Sequence, residues 1–496
     1  MKPALILIST QDNVAVATRD LKAGEVCHVG DISVQLRQDI PFGHKVALKD
    51  IAAQENIIKY GMPIGHAMKA ISSGEHIHTH NLKTNLSGLL EYNYEKQPNA
   101  VLPVEDTRTF WGYKRKDGSV GVRNEIWIIP TVGCVNTTAQ ILAKQAAREL
   151  VGKVDGIFAF THDKGCSQLG DDQAYTQQIL KGLIQHPNAG GVLVLSLGCE
   201  NNNLGVFQPL LGEVDPKRVK FLVTQNVSNE YEEGMALLRE LGEAAAEYKR
   251  EECPLSALTI GFKCGGSDAF SGITANPLCG RVNDWLVARG GSTILTEVPE
   301  MFGAETLLMN RAHDEETFHK IVEMINNFKN YFTRYHQTIY ENPSPGNKKG
   351  GISTLEEKSL GCTQKGGQSE VADVLAFGSR VQKHGLNLLT GPGNDLVSTT
   401  NLTAAGAQMI LFTTGRGNPF GAPVPTIKIA SNTPLFENKR HWIDFNAGRV
   451  LDGAGLDRTA EELFTFLLEV ASGRIQTKNE EYGYKEISIF KDGVIL

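Results

Sequence analysis

The stretch VLVLSLGCENNN, Val192 to Asn203, decides how the chain is read. An apolar run rich in Val and Leu stops at Gly198, and a thiol (Cys199), a carboxylate (Glu200) and three amides follow at once. Such a run reads as a buried strand, and polar groups where it ends mark the edge of a sheet at which α/β folds bind ligands. The pattern repeats upstream. TVGCVN follows EIWIIP (125–130) and DKGCSQLGDD follows IFAFT (157–161), so that Cys134, Cys166 and Cys199 stand 32 and 33 residues apart, about one strand–helix unit each. A further run, LTIGF (258–262), ends in FKCGGSD.

Between these runs lie helical patterns such as TAQILAKQAAREL and DQAYTQQILKGLI. Strand–helix alternation implies a mostly parallel sheet covered by helices. STILTEV, LNLLT, MILFTT and PTIKIAS extend the series and imply a second α/β domain. Residues 1–85 differ: short β segments such as ALILIST and NVAVATRDL alternate with Gly-marked turns, and DIPFGHKVALKDI and IKYGMPIGHAM read as loops leading into short strands or helical turns. The expected fold is therefore α/β: a small β-rich module (1–85), a linker (86–105), a Rossmann-like domain (106–250) and a C-terminal α/β catalytic domain (251–496).

With 496 residues there is room for roughly three domains. The 49 basic and 56 acidic residues give a net charge of −7, which argues against nucleic-acid or anionic-membrane partners. No apolar run reaches the roughly 20 residues of a membrane span, and the N-terminus reads as a strand rather than a signal peptide. Eight cysteines in so long a chain are no disulfide scaffold; in a cytoplasmic protein they point to metal or catalysis.

Three thiols at neighbouring strand ends can converge to hold iron directly or as an iron–sulfur cluster. Glu200 would add an oxygen ligand or a base, and His162 lies on the Cys166 loop. The bland alternative is small-residue packing at each Gly-Cys turn. In GEHIHTHN, His76, His78 and His80 alternate and face one side of an extended strand, a metal-site or acid–base pattern; a solvated edge is the alternative. His44 and His66 are single loop histidines. CGGSDAFSGITANP (264–277) leads from a strand end into a helix, where Ser267 or Asp268 can cap and backbone amides can meet a carboxylate. In TTGRGNPFG (413–421), glycines on both sides leave Arg416 free to pair with a carboxylate.

GHKVALKDI, GEHIHTHN, PTVGCVN, SLGCENN, CGGSDAFSGITANP, YENPSPGNKKGG, LGCTQKGG, TTGRGNPFG and HWIDFNAG together resemble the altronate/galactarate dehydratase family, from about residue 10 to the C-terminus. The histidine-rich end of the small module and LGCTQKGG look closer to the altronate branch. The resemblance implies an N-terminal SAF-type β-clip domain, a large dehydratase part, and conversion of D-altronate to 2-dehydro-3-deoxy-D-gluconate and water in hexuronate breakdown. It also implies a need for Fe2+ or a similar divalent ion such as Mn2+.

That chemistry requires a base for the C2 proton, a cation on the carboxylate, and an acid or metal for the C3 hydroxyl. The expected catalytic set is His44, His78, His80, Arg416, Ser267 and Asp268. The expected metal set is Cys134, Cys166, Cys199, Glu200 and His162. A small sugar acid is the expected partner, in a homodimer. Galactarate dehydration, sulfite elimination as in sulfolactate sulfo-lyase, and sugar-acid binding without catalysis are the rival readings.

Overall fold

Seven parallel strands carry the C-terminal half of the protein, whose computed structural model describes residues 3–495. In spatial order they are Val371–Leu375, Gly385–Leu389, Ser292–Leu295, Thr259–Cys264, Met409–Thr414, Thr426–Ala430 and Phe445–Asn446. Every neighbouring pair is parallel. Met409–Thr414 and Thr426–Ala430 are buried along their whole length. Both faces of the sheet are covered, which is why these strands read as unbroken runs instead of alternating. Helices Ala275–Val287 and Leu456–Ala471 cover one face, sharing a core that includes Leu278, Leu463 and Phe464.

The second domain has four parallel strands in the order Ile157–Ala159, Glu125–Pro130, Ala189–Ser196 and Val219–Val223. One core joins it to the large sheet: Trp127, Ile179 and Leu183 pack with Leu402, Ile410 and Phe412. The chain enters and leaves this domain through one small antiparallel sheet in which Thr109–Lys114 pairs with Arg250–Pro254.

The N-terminal module is built of short antiparallel sheets. The segment IIKYGMPIGHAM forms a true hairpin, Asn56–Lys59 against Met62–Ala67. Its tight turn sets Tyr60 and Gly61 at φ 62° and 73°, the left-handed values such a turn requires. From residue 84 to residue 108 there is no helix or strand, but the segment is pinned to the C-terminal domain. The Tyr92 hydroxyl donates to Glu305 (2.5 Å) and that of Tyr94 to the Ala312 carbonyl (2.7 Å). Among the described residues, no helix is long and apolar enough to cross a membrane.

Candidate active site at the domain seam

The large sheet changes direction between two adjacent strands. From Thr259–Cys264 the chain builds outward on one side, and it returns to Met409–Thr414 on the other. The crevice at the carboxyl ends of such a strand pair is where open α/β sheets take ligands. The loops that flank it are 265–271 and 415–418, and they are laced together. The amides of Gly415 and Arg416 donate to the Gly266 carbonyl at 3.0 and 2.9 Å. A Cβ on Gly415 would lie 2.2 Å from Asp268 Cγ, so only glycine fits there.

Asp268 is buried and acts as the anchor of this arrangement. Its carboxylate accepts from Ser271 N and Oγ (2.9 Å each), Ser431 Oγ (2.7 Å) and Asn432 Nδ2 (3.0 Å). Burial raises its pKa, against the pull of those donors. These bonds, three on Oδ1 and one on Oδ2, tie Asp268 to Ser271 in its own loop and to Ser431 and Asn432 after strand Thr426–Ala430. The Ser267 carbonyl accepts from Asn347 Nδ2 (2.8 Å), which ties in the loop 344–351. Arg416 is exposed, and its guanidinium has no hydrogen-bond or ion-pair partner among the described residues.

The small module carries four clustered imidazoles, two of which, His44 and His78, reach residues 349–353. Its strand Lys45–Ala47 pairs with His76–Ile77, and His44 stands immediately before the first of them. The approach is close: a Cβ on Gly351, whose φ is 98°, would lie 2.3 Å from the Gly43 carbonyl oxygen. His44 Nε2 lies 3.3 Å from the Lys349 carbonyl, and His44 Nδ1 lies 2.9 Å from His76 Nε2. A carbonyl only accepts, so neutral His44 carries its proton on Nε2 and receives Nε2–H of His76 on Nδ1. His78 Nδ1 lies 2.9 Å from Ser353 Oγ. His80 is exposed, with its ring centre 5.3 Å from that of His76. Burial, then repulsion from the neighbouring imidazoles, pushes His76 down to about 3. Burial, then the Lys45 ammonium, pushes His78 down to about 4. Burial lowers His44 and His80 too. The cluster is therefore neutral near pH 7.

Behind the imidazoles lies a buried ion cluster that the sequence does not announce. Lys45 Nζ donates to the Gly351 carbonyl (2.7 Å), Ser353 Oγ (2.8 Å) and Glu357 Oε2 (2.9 Å), and Lys59 Nζ reaches Glu357 Oε1 at 2.7 Å. Both ammoniums belong to the small module and the carboxylate to helix Leu355–Cys362.

Cys264, Glu300 and Cys362 form the one group of His, Cys, Asp or Glu side chains, among the described residues, whose ligand atoms all lie within 4.8 Å of one another. The two sulfurs are 3.5 Å apart, and Glu300 Oε2 is 2.8 and 3.1 Å from them. Their mutual hydrogen bond pulls Cys264 down and pushes Cys362 up, so one thiol ionises ahead of the other. Lys263, Lys358 and Lys365 face Glu297, Glu300 and Asp395 around them. A void of about 10 Å3 separates Cys362 from Ser267, Asp268 and Tyr60, room for one water at most.

The site residues expected from the sequence fall into two places. His44, His78, His80, Arg416, Ser267 and Asp268 gather at this seam, joined by His76. The expected metal set lies on the second domain instead. Cys134, Cys166 and Cys199 do follow the carboxyl ends of its strands and are exposed. Their sulfurs form no group within 4.8 Å. Glu200 is consumed as a loop anchor, accepting from Thr131 Oγ1, Ser196 Oγ and Gly198 N at 2.6 Å each. Both ring nitrogens of His162 are engaged, Nε2 with the Pro130 carbonyl (2.9 Å) and Nδ1 with Lys164 N (3.2 Å). A wider cleft of about 840 Å3, lined by Tyr175, Tyr331, Phe377 and Phe490, holds none of these imidazoles, and its Arg334 is already paired with Asp492.

Neutral imidazoles and an arginine unpartnered among the described residues border this seam, with a thiol–carboxylate trio near it, a set suited to acid–base chemistry. The matches to known proteins agree. Residues 3–85 match the altronate/galactarate dehydratase SAF domain, 112–246 the second domain of D-galactarate dehydratase/altronate hydrolase, and 255–495 the D-galactarate/altronate dehydratase C-terminal domain. Altronate dehydratase of Bacillus subtilis (strain 168) is 55% identical over 99% of this chain and 100% of its own length. Altronate dehydratase of Escherichia coli (strain K12) is 51% identical over 99% of each chain. Galactarate dehydratase (L-threo-forming) of Escherichia coli (strain K12) is 36% identical, covering 98% of this chain and 96% of its own. The chain belongs to the altronate/galactarate dehydratase family and is a hydro-lyase.

Proposed function

We propose that the protein dehydrates D-altronate to 2-dehydro-3-deoxy-D-gluconate at the seam between the SAF module and the C-terminal domain. The observation that carries this reading is the meeting of the imidazole cluster with the 349–353 loop beside the switch-point crevice that Arg416 borders. Arg416 takes the substrate carboxylate, on which charge builds as the C2 proton leaves. Of the four clustered imidazoles, His80 is the one with no hydrogen bond to another side chain among the described residues, and it serves as the base at C2. His78 donates the proton that lets the C3 hydroxyl leave as water. The enol so formed becomes the 2-keto acid.

The divalent ion belongs to the proposal. Cys264, Glu300 and Cys362 fit one: two sulfurs and a carboxylate oxygen already converge, and a bound cation would take the place of thiol protons. Two sulfurs favour Fe2+ over Mn2+. When bound there, the ion supplies Lewis-acid charge beneath the crevice. The cytoplasm, where eight free thiols stay reduced, and a homodimer complete the reading.

The experiment is a product assay. Purified protein with anaerobic Fe2+ should form a 2-keto acid from D-altronate faster than from galactarate, and release no sulfite from sulfolactate. A higher kcat/KM on either of the other two substrates would overturn the assignment.

A further inference from the structure

Lys45 is fully buried, yet its environment spends all three of its protons. They go to the Gly351 carbonyl, to Ser353 Oγ and to Glu357. Ser353 therefore accepts from Lys45, and its own hydrogen is left for the other side-chain partner its hydroxyl has among the described residues, His78 Nδ1 at 2.9 Å. With Nδ1 accepting, neutral His78 carries its proton on Nε2. The order Lys45, Ser353, His78 thus has one direction of donation, and it crosses the domain seam twice.

We infer that Lys45 and Ser353 form a proton relay that feeds His78. As His78 gives its Nε2 proton to the departing C3 oxygen, Ser353 passes its hydrogen to His78 Nδ1 and Lys45 passes one to Ser353 Oγ. The hydroxyl leaves as water, Lys45 becomes a neutral amine that keeps two hydrogen bonds, and His78 stays neutral throughout. The C2 proton ends on His80. After product leaves, a proton from solvent enters at His78 and runs the relay in reverse, recharging Lys45. No electron transfer and no further reactant is needed.

Three features suit Lys45 to this task. Burial lowers its pKa to about 8, with Lys59 adding repulsion and Glu357 opposing both. The other titratable groups that face it, His44, His76 and His78, are neutral near pH 7. Ser353 also donates its backbone N–H to Glu357 Oε2 at 2.8 Å, so one carboxylate fixes both members of the relay. Because Ser353 belongs to the C-terminal domain, His78 receives protons only when the SAF module is docked.

This inference rests on His78 being the proton donor of the proposed dehydration, and its test separates the two. Lys45 and Ser353 are positioning and relay residues that act through His78. Wild type, Ser353→Ala, Ser353→Thr and His78→Ala are assayed on D-altronate with Fe2+, each checked for an unchanged melting temperature. The relay predicts that Ser353→Ala loses about 10²-fold in kcat with KM little changed, and that Ser353→Thr, which keeps the oxygen, recovers most of it. In wild type, kcat should fall as pH rises through about 8, and that limb should vanish in Ser353→Ala. The solvent deuterium effect on kcat should report more than one proton in flight in wild type and one in Ser353→Ala. If His78→Ala is impaired while Ser353→Ala keeps wild-type kcat, alkaline limb and isotope effect, the relay is overturned and the dehydration site stands. If His78→Ala is as active as wild type, the role of His78 itself is wrong.

Discussion

Nζ of Lys45 lies 2.9 Å from Oε2 of Glu357, and both side chains are almost wholly shut off from water, at 0% and 1% exposure. Lys45 is in the SAF module and Glu357 in the C-terminal domain, so this pair is a clamp between them as well as one end of the relay. Lys59, on the same carboxylate at 2.7 Å, makes it a triad.

Removing the carboxylate leaves two buried ammoniums facing each other. Glu357→Gln should destabilise the docked protein by about 3–5 kcal/mol, read by chemical denaturation, because an uncompensated buried charge is left behind. A loss below about 1 kcal/mol would show that the clamp does not hold the module.

The same carboxylate sets an acid limit. Against the cost of burial, Lys45 and Lys59 hold Glu357 down at about 2, compared with an ordinary value of 4.5. A depressed pKa contributes stability that is fully present above the ordinary value and is lost as pH falls through the folded one. Stability should therefore decline between about pH 4.5 and pH 2, by about 3 kcal/mol from this group. Glu357→Gln should lack that component in a denaturation series across the window.

Arg416→Lys keeps the charge and loses the two-pronged fit to a carboxylate. It should cost about 10²-fold in kcat/KM, about 2.7 kcal/mol, with the melting temperature unchanged because the side chain is exposed and unpartnered. Near-normal kcat/KM on altronate would remove Arg416 from substrate binding.

The metal assignment separates two sets of cysteines. Cys264→Ser or Cys362→Ser should lower bound iron about tenfold or more after anaerobic reconstitution, measured by elemental analysis. Changing Cys134, Cys166 and Cys199 to Ser together should leave iron content unchanged. The reverse result would move the metal to the second domain.

Much of the frame was legible in the sequence. The unbroken apolar runs became the parallel strands, and the regular Cys spacing did mark successive strand ends. What that spacing could not show is where the sulfurs point. Cys264 closes a strand in the same way, but its partners Glu300 and Cys362 come from distant segments, so no local pattern joins them. The alternating His76, His78 and His80 suggested one flat face. The strand ends at Ile77 and a turn in which Asn81 and Leu82 donate to the His78 carbonyl follows, yet the rings of His78 and His80 still stand 5.9 and 5.3 Å from that of His76. The clamp and the relay were hidden for a plainer reason. No local pattern in GHKVAL or LEEK marks Lys45 or Glu357 as buried, and only the docking of two domains buries them.

The central claim is that a sugar acid is bound at the SAF–C-terminal seam. Its most direct measurement is the difference density for D-altronate in crystals of the metal-free protein. The carboxylate should pair with Arg416, and the C3 oxygen should lie within hydrogen-bond reach of His78. Altronate density confined to the cleft between Tyr175, Tyr331 and Phe490, with none at the seam, would contradict it.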